Sequence, residues 1–395
     1  MHLLRAALTG IVGLAGLVPS AAAAPAPAPG LAPTAVEARQ AATATVSDLV
    51  VFSPPSNAGW TDPRVLYARA VALSDGETLL ATWENYSPEP PLVYFPIYRS
   101  TDAGATWAEI GRVQDTVNGW GLRYQPFLYE LPVAIGRFAA GTLLLAGNSI
   151  PTDLSKSKID VYASTDGGVT WTFVSSVAEG GEARPNNGLT PVWEPLLMVY
   201  NNQLICYYSD QRDTKYGQKL THQVTTDLES WETQVDDVTD TANYAARPGM
   251  PAVTKLPNGN YIFAYEVCGT DGCRVHYRLA PDPLAVLSAP SYTLRSTAGT
   301  QPVSSPYVVW SSAGGGGDGV VVLSSGTNSQ LFVNRNLGDP DSWEEIAVPQ
   351  PKAYSRGLAL MPGDDTTLLI IGAGSLPPSS TNRVSVSVVD LEALL

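Results

Sequence analysis

Ser100-Thr-Asp-Ala-Gly-Ala-Thr-Trp107 and Ser164-Thr-Asp-Gly-Gly-Val-Thr-Trp171 share one pattern, S-T-D-x-G-x-T-W. The residue types explain it locally. An aspartate in a tight turn accepts backbone N–H groups, glycine takes a conformation other residues resist, and tryptophan packs between strands. Weaker copies stand at Thr225-Thr-Asp-Leu-Glu-Ser-Trp231 and Asn336-Leu-Gly-Asp-Pro-Asp-Ser-Trp343, with Ala280-Pro-Asp-Pro-Leu in the gap between them. Each follows a strand-like run: Val93 to Arg99, Ile159 to Ala163, Thr221 to Val224, Arg274 to Arg278 and Leu331 to Asn334. The box aspartates and tryptophans therefore read as structural.

The rest of each unit also recurs. A first strand starts near Arg69, Gln125, Glu194, Met250, Ser305 and Ser355, roughly every 50–70 residues, the mark of a repeat architecture. A turn and a second strand follow: Thr78 to Trp83, Thr142 to Ala146, Gln203 to Tyr208, Tyr261 to Tyr265, Val320 to Leu323 and Thr367 to Ile371. Ser74-Asp-Gly76 and Pro257-Asn-Gly259 are turn signals between them. Six such units predict an all-β chain folded as a six-bladed β-propeller over residues 46–395. The run Val384 to Val389 has no box after it and is expected to share the last blade with Leu49 to Phe52, closing the ring. The boxes resemble the Asp-boxes of sialidase-like propellers.

Bulk properties agree with this class. The 395 residues include 35 Gly, 32 Pro, 9 Trp and 18 Tyr, rich in turns and aromatics. The formal net charge of -14 disfavours nucleic acid and anionic membrane as partners, since both require a basic footprint. Residues 1–24 read as a secretory signal: one basic residue at Arg5, a short apolar run Ala6 to Val18, then small residues from Ser20 to Ala24. That run is too short and too rich in Gly and Ala for a membrane anchor. Residues 25–45 are an Ala/Pro/Thr-rich lead-in without periodicity. The expected protein is thus secreted and monomeric. Cys268 and Cys273 flank the turn Thr270-Asp-Gly272 and are expected to form a short staple, while Cys206 sits in an apolar run as a buried thiol. With three His and no paired Cys/His spacing, neither a metal nor another cofactor is expected. Asn85-Tyr-Ser87 is a glycosylation sequon, weakened by Pro88.

In a propeller the first strands line the central channel and run antiparallel to the second strands. The start of each first strand and the end of each second strand therefore share a rim. The first-strand residues are Arg69, Gln125, Glu194, Met250, Ser305 and Arg356; the second strands bring Glu84, Asn148, Asp210, Glu266 and Ser324-Ser325. Two carboxylates stand out, Glu194 opening the third blade and Glu266 ending a strand of the fourth. Glycoside hydrolysis commonly uses such a pair, one protonating the leaving oxygen and one acting as nucleophile or base. Ion pairing with rim arginines is the structural alternative for each, and Glu84 and Asp210 are possible substitutes. Tyr354 is placed to hydrogen-bond the nucleophile. Trp60, Trp120, Tyr124, Asn187 and Trp193 are candidate sugar-binding residues, because sugars stack on aromatic faces and hydrogen-bond at their edges.

Trp60-Thr-Asp-Pro-Arg64 with Tyr67-Ala-Arg69, the boxes, Val192-Trp-Glu-Pro195, Arg247-Pro-Gly-Met-Pro251 and Phe263-Ala-Tyr-Glu266 together resemble glycoside hydrolase family 93 over nearly all of the chain beyond its leader. The resemblance implies a fungal secreted exo-α-1,5-L-arabinanase that releases arabinobiose from the non-reducing end of linear arabinan with retention. It implies Glu194 as general acid/base, Glu266 as nucleophile and Tyr354 as the tyrosine beside it. The substrate-binding set carried with it is Trp60, Arg64, Arg69, Tyr124, Gln125, Asn187, Trp193, Asp210 and Arg356. Two other functions fit a propeller of this kind. A sialidase would need three convergent arginines, drawn from Arg64, Arg69, Arg247, Arg274 and Arg356, and a tyrosine nucleophile. A non-catalytic carbohydrate-binding propeller would need aromatic subsites but no carboxylate pair.

Overall fold

The computed structural model describes residues 44–56, 59–314 and 317–395. The expected signal segment and residues 25–43 of the lead-in lie outside them. The chain opens with β1 (Ala44–Phe52), which is set aside for the last blade. Blade 1 holds β2 (Val65–Ala72), β3 (Leu79–Asn85), β4 (Phe95–Ser100) and β5 (Ala108–Val113); blade 2 holds β6 (Leu122–Glu130), β7 (Leu143–Ser149), β8 (Ser157–Ser164) and β9 (Thr172–Gly180). Blade 3 holds β10 (Val192–Tyr200), β11 (Gln203–Asp210), β12 (Lys219–Thr225) and β13 (Val235–Val238). Blade 4 holds β14 (Arg247–Lys255), β15 (Tyr261–Cys268), β16 (Arg274–Ala280) and β17 (Ser291–Thr293). Blade 5 holds β18 (Tyr307–Ser311), β19 (Val320–Ser324), β20 (Leu331–Asn334) and β21 (Trp343–Ile346). Blade 6 holds β22 (Gly357–Met361), β23 (Asp364–Gly372), β24 (Val384–Asp390) and, outermost, β1. Leu49 pairs with Val386 and Phe52 with Val384, so the first and last segments of the propeller close the ring in one sheet. The protein is a six-bladed β-propeller.

The strand sequences suit their places. Second strands lie between two blades and are buried on both faces, so β3, β7 and β19 are buried along their whole length and read as near-continuous apolar runs. First strands face the axis, where Ala70, Leu128, Met198, Val253, Val308 and Leu360 help to line a channel cavity of about 320 Å³.

The box turns join blades to one another. Asp166 accepts the Thr170 N–H at 2.9 Å and its hydroxyl at 2.6 Å, and the Trp171 indole donates to the Gly168 carbonyl at 2.9 Å. Asp102, Thr106, Trp107 and Gly104 repeat these bonds one blade earlier. Gly168 sits at φ +92°, and a Cβ there would come within 3.3 Å of Leu80 and 3.4 Å of Ile97 in blade 1. Gly104 approaches Val388 and Leu369 of blade 6 in the same way. Each turn needs glycine both for its backbone conformation and for contact with the preceding blade. The weaker copy in blade 5 keeps the architecture by substitution: Asn334 accepts the N–H groups of Asn336 and Gly338, and Trp343 donates to the hydroxyl of Tyr277 in blade 4.

Cys268 and Cys273 form a disulfide across the β15–β16 turn, and Cys206 is a buried free thiol. Asn85 is buried, only 3 % exposed, so the sequon does not present its amide to solvent.

Candidate active site

The rim is built on one repeated backbone device. Tyr67, Gln125, Glu194, Met250, Ser305 and Ser355 all have positive φ, between 46° and 61°. They occupy the same place in six blades, at or just before the first strand, where the strand register slips in blades 1 to 4. A bulge of this kind re-aims a side chain and frees an N–H from the ladder. Four of those N–H groups point at side chains of the preceding blade. Gln125 donates to Glu84 Oε1 at 2.9 Å, Glu194 to Gln125 Oε1 at 3.0 Å, Met250 to Glu194 Oε2 at 2.6 Å and Ser305 to Glu266 Oε2 at 2.7 Å.

This arrangement places Glu194 and Glu266 round one cavity of about 640 Å³, together with Glu84, Tyr124, Gln125, Trp193, Arg247 and Tyr354. Glu194 Oε2 also accepts the Ser209 hydroxyl at 2.6 Å, and among the described residues Oε1 has no donor. Gly249 is the cross-strand partner of Glu266, and a Cβ on it would lie 3.2 Å from Glu194 Oε2. The two carboxylates thus meet over a backbone that carries no side chain. The Cys268 sulfur lies 3.4 Å from Glu266 Oε1, so the disulfide forms part of the wall.

Burial dominates the electrostatics. It raises the carboxyls of Glu194, Glu266 and Glu84, the last two to about 7. The charge of Glu194 adds to the rise at Glu266, and the Arg247 guanidinium opposes it at both members of the pair. Burial and mutual repulsion thus make it unfavourable for both members of the pair to be ionised at once, which favours one of them carrying a proton. Burial, then the charges of Glu266 and Glu194, pushes the Tyr354 phenol well above its ordinary value and keeps it a hydrogen-bond donor. Tyr86, Tyr124 and Trp193 form an aromatic arc, with ring centres 6.1 and 6.4 Å apart in succession.

Of the residues expected at the site, Glu194, Glu266, Tyr354, Tyr124, Gln125 and Trp193 line this cavity. The other seven do not. Arg69 lies two residues past the bulge position, which belongs to Tyr67. Its guanidinium sits 4.0 Å from the Tyr67 ring centre and 5.0 Å from that of Tyr307, donating to Ser355 beneath the pocket. Arg356 follows the bulge residue Ser355 and turns away, donating to the carbonyls of Ser329 and Gln330. Asp210 faces opposite to its neighbour Ser209, as strand alternation requires, and is paired with Arg212 at 2.8 Å. Arg64 donates to the carbonyls of Pro54, Pro55 and Ser380, a clasp between the blade 1 entrance and blade 6. Trp60 packs against Phe52 with 5.8 Å between rings. Asn187 is exposed at the edge and holds Arg247 at 2.8 Å. Trp120 lies under Lys158, away from the cavity.

Tyr86, Gln218, Arg184 and Leu376 also line the cavity and were not expected there. They come from connecting segments after second strands or before first strands, which carry no periodic signal.

A GH93 α-L-arabinofuranosidase of Fusarium graminearum, solved with arabinobiose, superposes at a TM-score of 0.85 with 54% identity, over 88% of this chain and 98% of that one. The chain belongs to glycoside hydrolase family 93. A Penicillium chrysogenum α-L-arabinanase, also solved with arabinobiose, is similar at 55% identity and TM-score 0.85, over 89% of this chain and 99% of that one. The Streptococcus pneumoniae NanB sialidase, at 12% identity and TM-score 0.57 over 89% of this chain and 71% of that one, shares the fold. No protein-family model and no curated protein matches the chain. Membership of family 93 makes this propeller a glycoside hydrolase fold with its carboxylates on one rim.

Two outcomes follow from the site. Gly249→Ala should lower kcat by about 10- to 100-fold with the fold intact, because Gln218 Nε2 (2.8 Å from the added Cβ) and Glu194 Oε2 are both pinned by other bonds; kinetics with circular dichroism check it. The second concerns pH. Glu84 holds its proton to about 7 in the folded protein, against 4.5 ordinarily, so its contribution to stability declines as pH rises from about 4.5 to 7. Glu84→Gln should remove that decline, worth about 3 kcal/mol. Its melting temperature should therefore fall less than the parent's between pH 5 and pH 8.

Proposed function

We propose that the protein is a secreted, retaining exo-α-1,5-L-arabinanase that frees arabinobiose from the non-reducing end of linear arabinan. The observation that carries the reading is the buried pair Glu194 and Glu266, set on adjacent blades of a chain whose 54–55% identical relatives were solved with arabinobiose. Glu194, with one free oxygen, protonates the departing glycosidic oxygen. Glu266 attacks the anomeric carbon from the opposite face and forms a glycosyl–enzyme ester. Glu194, now ionised, takes a proton from water, whose oxygen displaces Glu266 and restores both groups.

A neutral furanose suits the rest of the cavity. The aromatic arc offers stacking faces, and Arg247 is held by Asn187, Gln211 and Gln218, available for sugar hydroxyls. Tyr67 lies 6.4 Å from the Tyr354 ring and carries the Arg69 guanidinium 4.0 Å from its own ring centre, so an aromatic and a cation pack behind the tyrosine of the site. The leader segment supports export, and the disulfide fits an oxidising compartment. The sialidase alternative lacks support: of the five arginines that might form its triad, only Arg247 lines the cavity, and Arg274 is paired with Asp271. A purely binding propeller leaves the buried carboxylates without a task.

Product analysis on linear arabinan tests the reading. Arabinobiose should be the sole early product, released first with retained anomeric configuration, and Glu266→Ala should abolish release. Longer products, inverted arabinobiose or a Glu266→Ala variant near parental rate would each contradict it. The retaining mechanism also requires about 5–5.5 Å between the two carboxyl groups.

A further inference from the structure

Glu84 is a third buried carboxylate in the same cavity, 3 % exposed, and the two-carboxylate mechanism does not use it. Among the described residues it makes no ion pair. Its oxygens are both committed: Oε1 accepts the Gln125 N–H at 2.9 Å and Oε2 accepts the Tyr86 hydroxyl at 2.7 Å. Burying a carboxylate without a cation is costly. What this one holds is informative. Gln125 is the bulge residue of blade 2, and its side-chain Oε1 accepts the N–H of Glu194, the bulge residue of blade 3, at 3.0 Å. The series Tyr86, Glu84, Gln125, Glu194 is a continuous set of hydrogen bonds across three blades.

We propose that Glu84 is a positioning residue for the acid/base: clamped by Tyr86, it fixes the Gln125 backbone, and Gln125 in turn fixes the backbone from which the Glu194 carboxyl projects. The proposal rests on Glu194 acting as acid/base in the retaining reading. The physical grounds are geometric. Gln125 and Glu194 both occupy the left-handed region, at φ 58° and 61°, a conformation unfavourable for a residue with a Cβ. Each needs an external acceptor to hold its freed N–H. Removing the first acceptor lets the second bulge relax, and the Glu194 carboxyl moves with it. Displacement by about 1 Å is enough to cost on the order of 100-fold in rate.

The position of an acid/base has a signature that a structural prop lacks. Cleavage of arabinotriose expels an alkoxide that must be protonated, whereas a 4-nitrophenyl arabinobioside expels a phenolate that needs no proton. Glu84→Ala and Gln125→Ala should each lose on the order of 100-fold in kcat/KM on arabinotriose and about 3-fold or less on the nitrophenyl substrate. The double variant should lose no more than either single one. Glu84→Gln, which keeps an acceptor oxygen for Gln125, should restore most of the arabinotriose activity. Equal losses on both substrates would make Glu84 a substrate contact or a general support and overturn the proposal, as would additive losses in the double variant. If Glu84→Ala fails to fold, Gln125→Ala breaks the same series one link on and decides the matter. Glu194→Ala is the reference. If it shows the leaving-group pattern and the Glu84 and Gln125 variants do not, the positioning role fails alone. If it shows no such pattern, the acid/base reading fails.

Discussion

The site depends on a backbone N–H turned out of its ladder. Six blades each place one residue at positive φ at the head of the first strand, and among the described residues it is in blades 2 to 5 that this N–H meets a side chain from the blade before. Those are the blades around the carboxylates. The left-handed conformation is unfavourable by about 1–2 kcal/mol per residue, and a hydrogen bond to a buried acceptor, worth roughly 0.5–1.5 kcal/mol and more where that acceptor is ionised, offsets much of it. Backbone strain and carboxylate placement are therefore two sides of one interaction. Neither Glu194 nor Glu266 is held by an arginine at contact distance; both are held by backbone and hydroxyl donors, which define a position without fixing a charge state.

The remaining layers serve that interaction. Blades must keep their relative positions for an N–H of one to meet a side chain of the next, and the box turns supply this. Gly104 and Gly168 press their turns onto the preceding blade, and β1 closes blade 6 against β24 so that the ring cannot open. Beneath the pocket, Arg69 holds Ser355 and lies against Tyr67 and Tyr307, joining blades 1, 5 and 6 where no carboxylate bridge exists. Four of the six blade junctions on the rim are thus bridged by Glu84, Gln125, Glu194 and Glu266, and the other two by one buried arginine.

Much of this was legible in the sequence, because a repeat can be aligned to itself. The phase of the six first strands put Glu194, Gln125 and Glu266 on one rim, and the structure brings them together. The same alignment slipped by two residues in blade 1, where Arg69 was taken for the position Tyr67 holds, and by one in blade 6, where Arg356 stood in for Ser355. A slip of one residue in a strand reverses the face, so Arg356 turned out to bind carbonyls instead of lining the cavity. Asp210 failed for the same reason beside Ser209. The bulges themselves leave no sequence signal, since their residues are Tyr, Gln, Glu, Met and Ser rather than Gly. Tyr86, Gln218 and Leu376 were unreadable because connecting loops follow no period.

The measurement that tests the account most directly is covalent trapping. A 2-fluoro arabinobiosyl substrate with an activated leaving group slows the second step and leaves the sugar on the nucleophile, and mass spectrometry of the digested protein locates it. The account predicts the label on Glu266, in the peptide that carries Tyr261–Cys268. A label on Tyr354, or an enzyme that turns over retained product without ever carrying one, would contradict it.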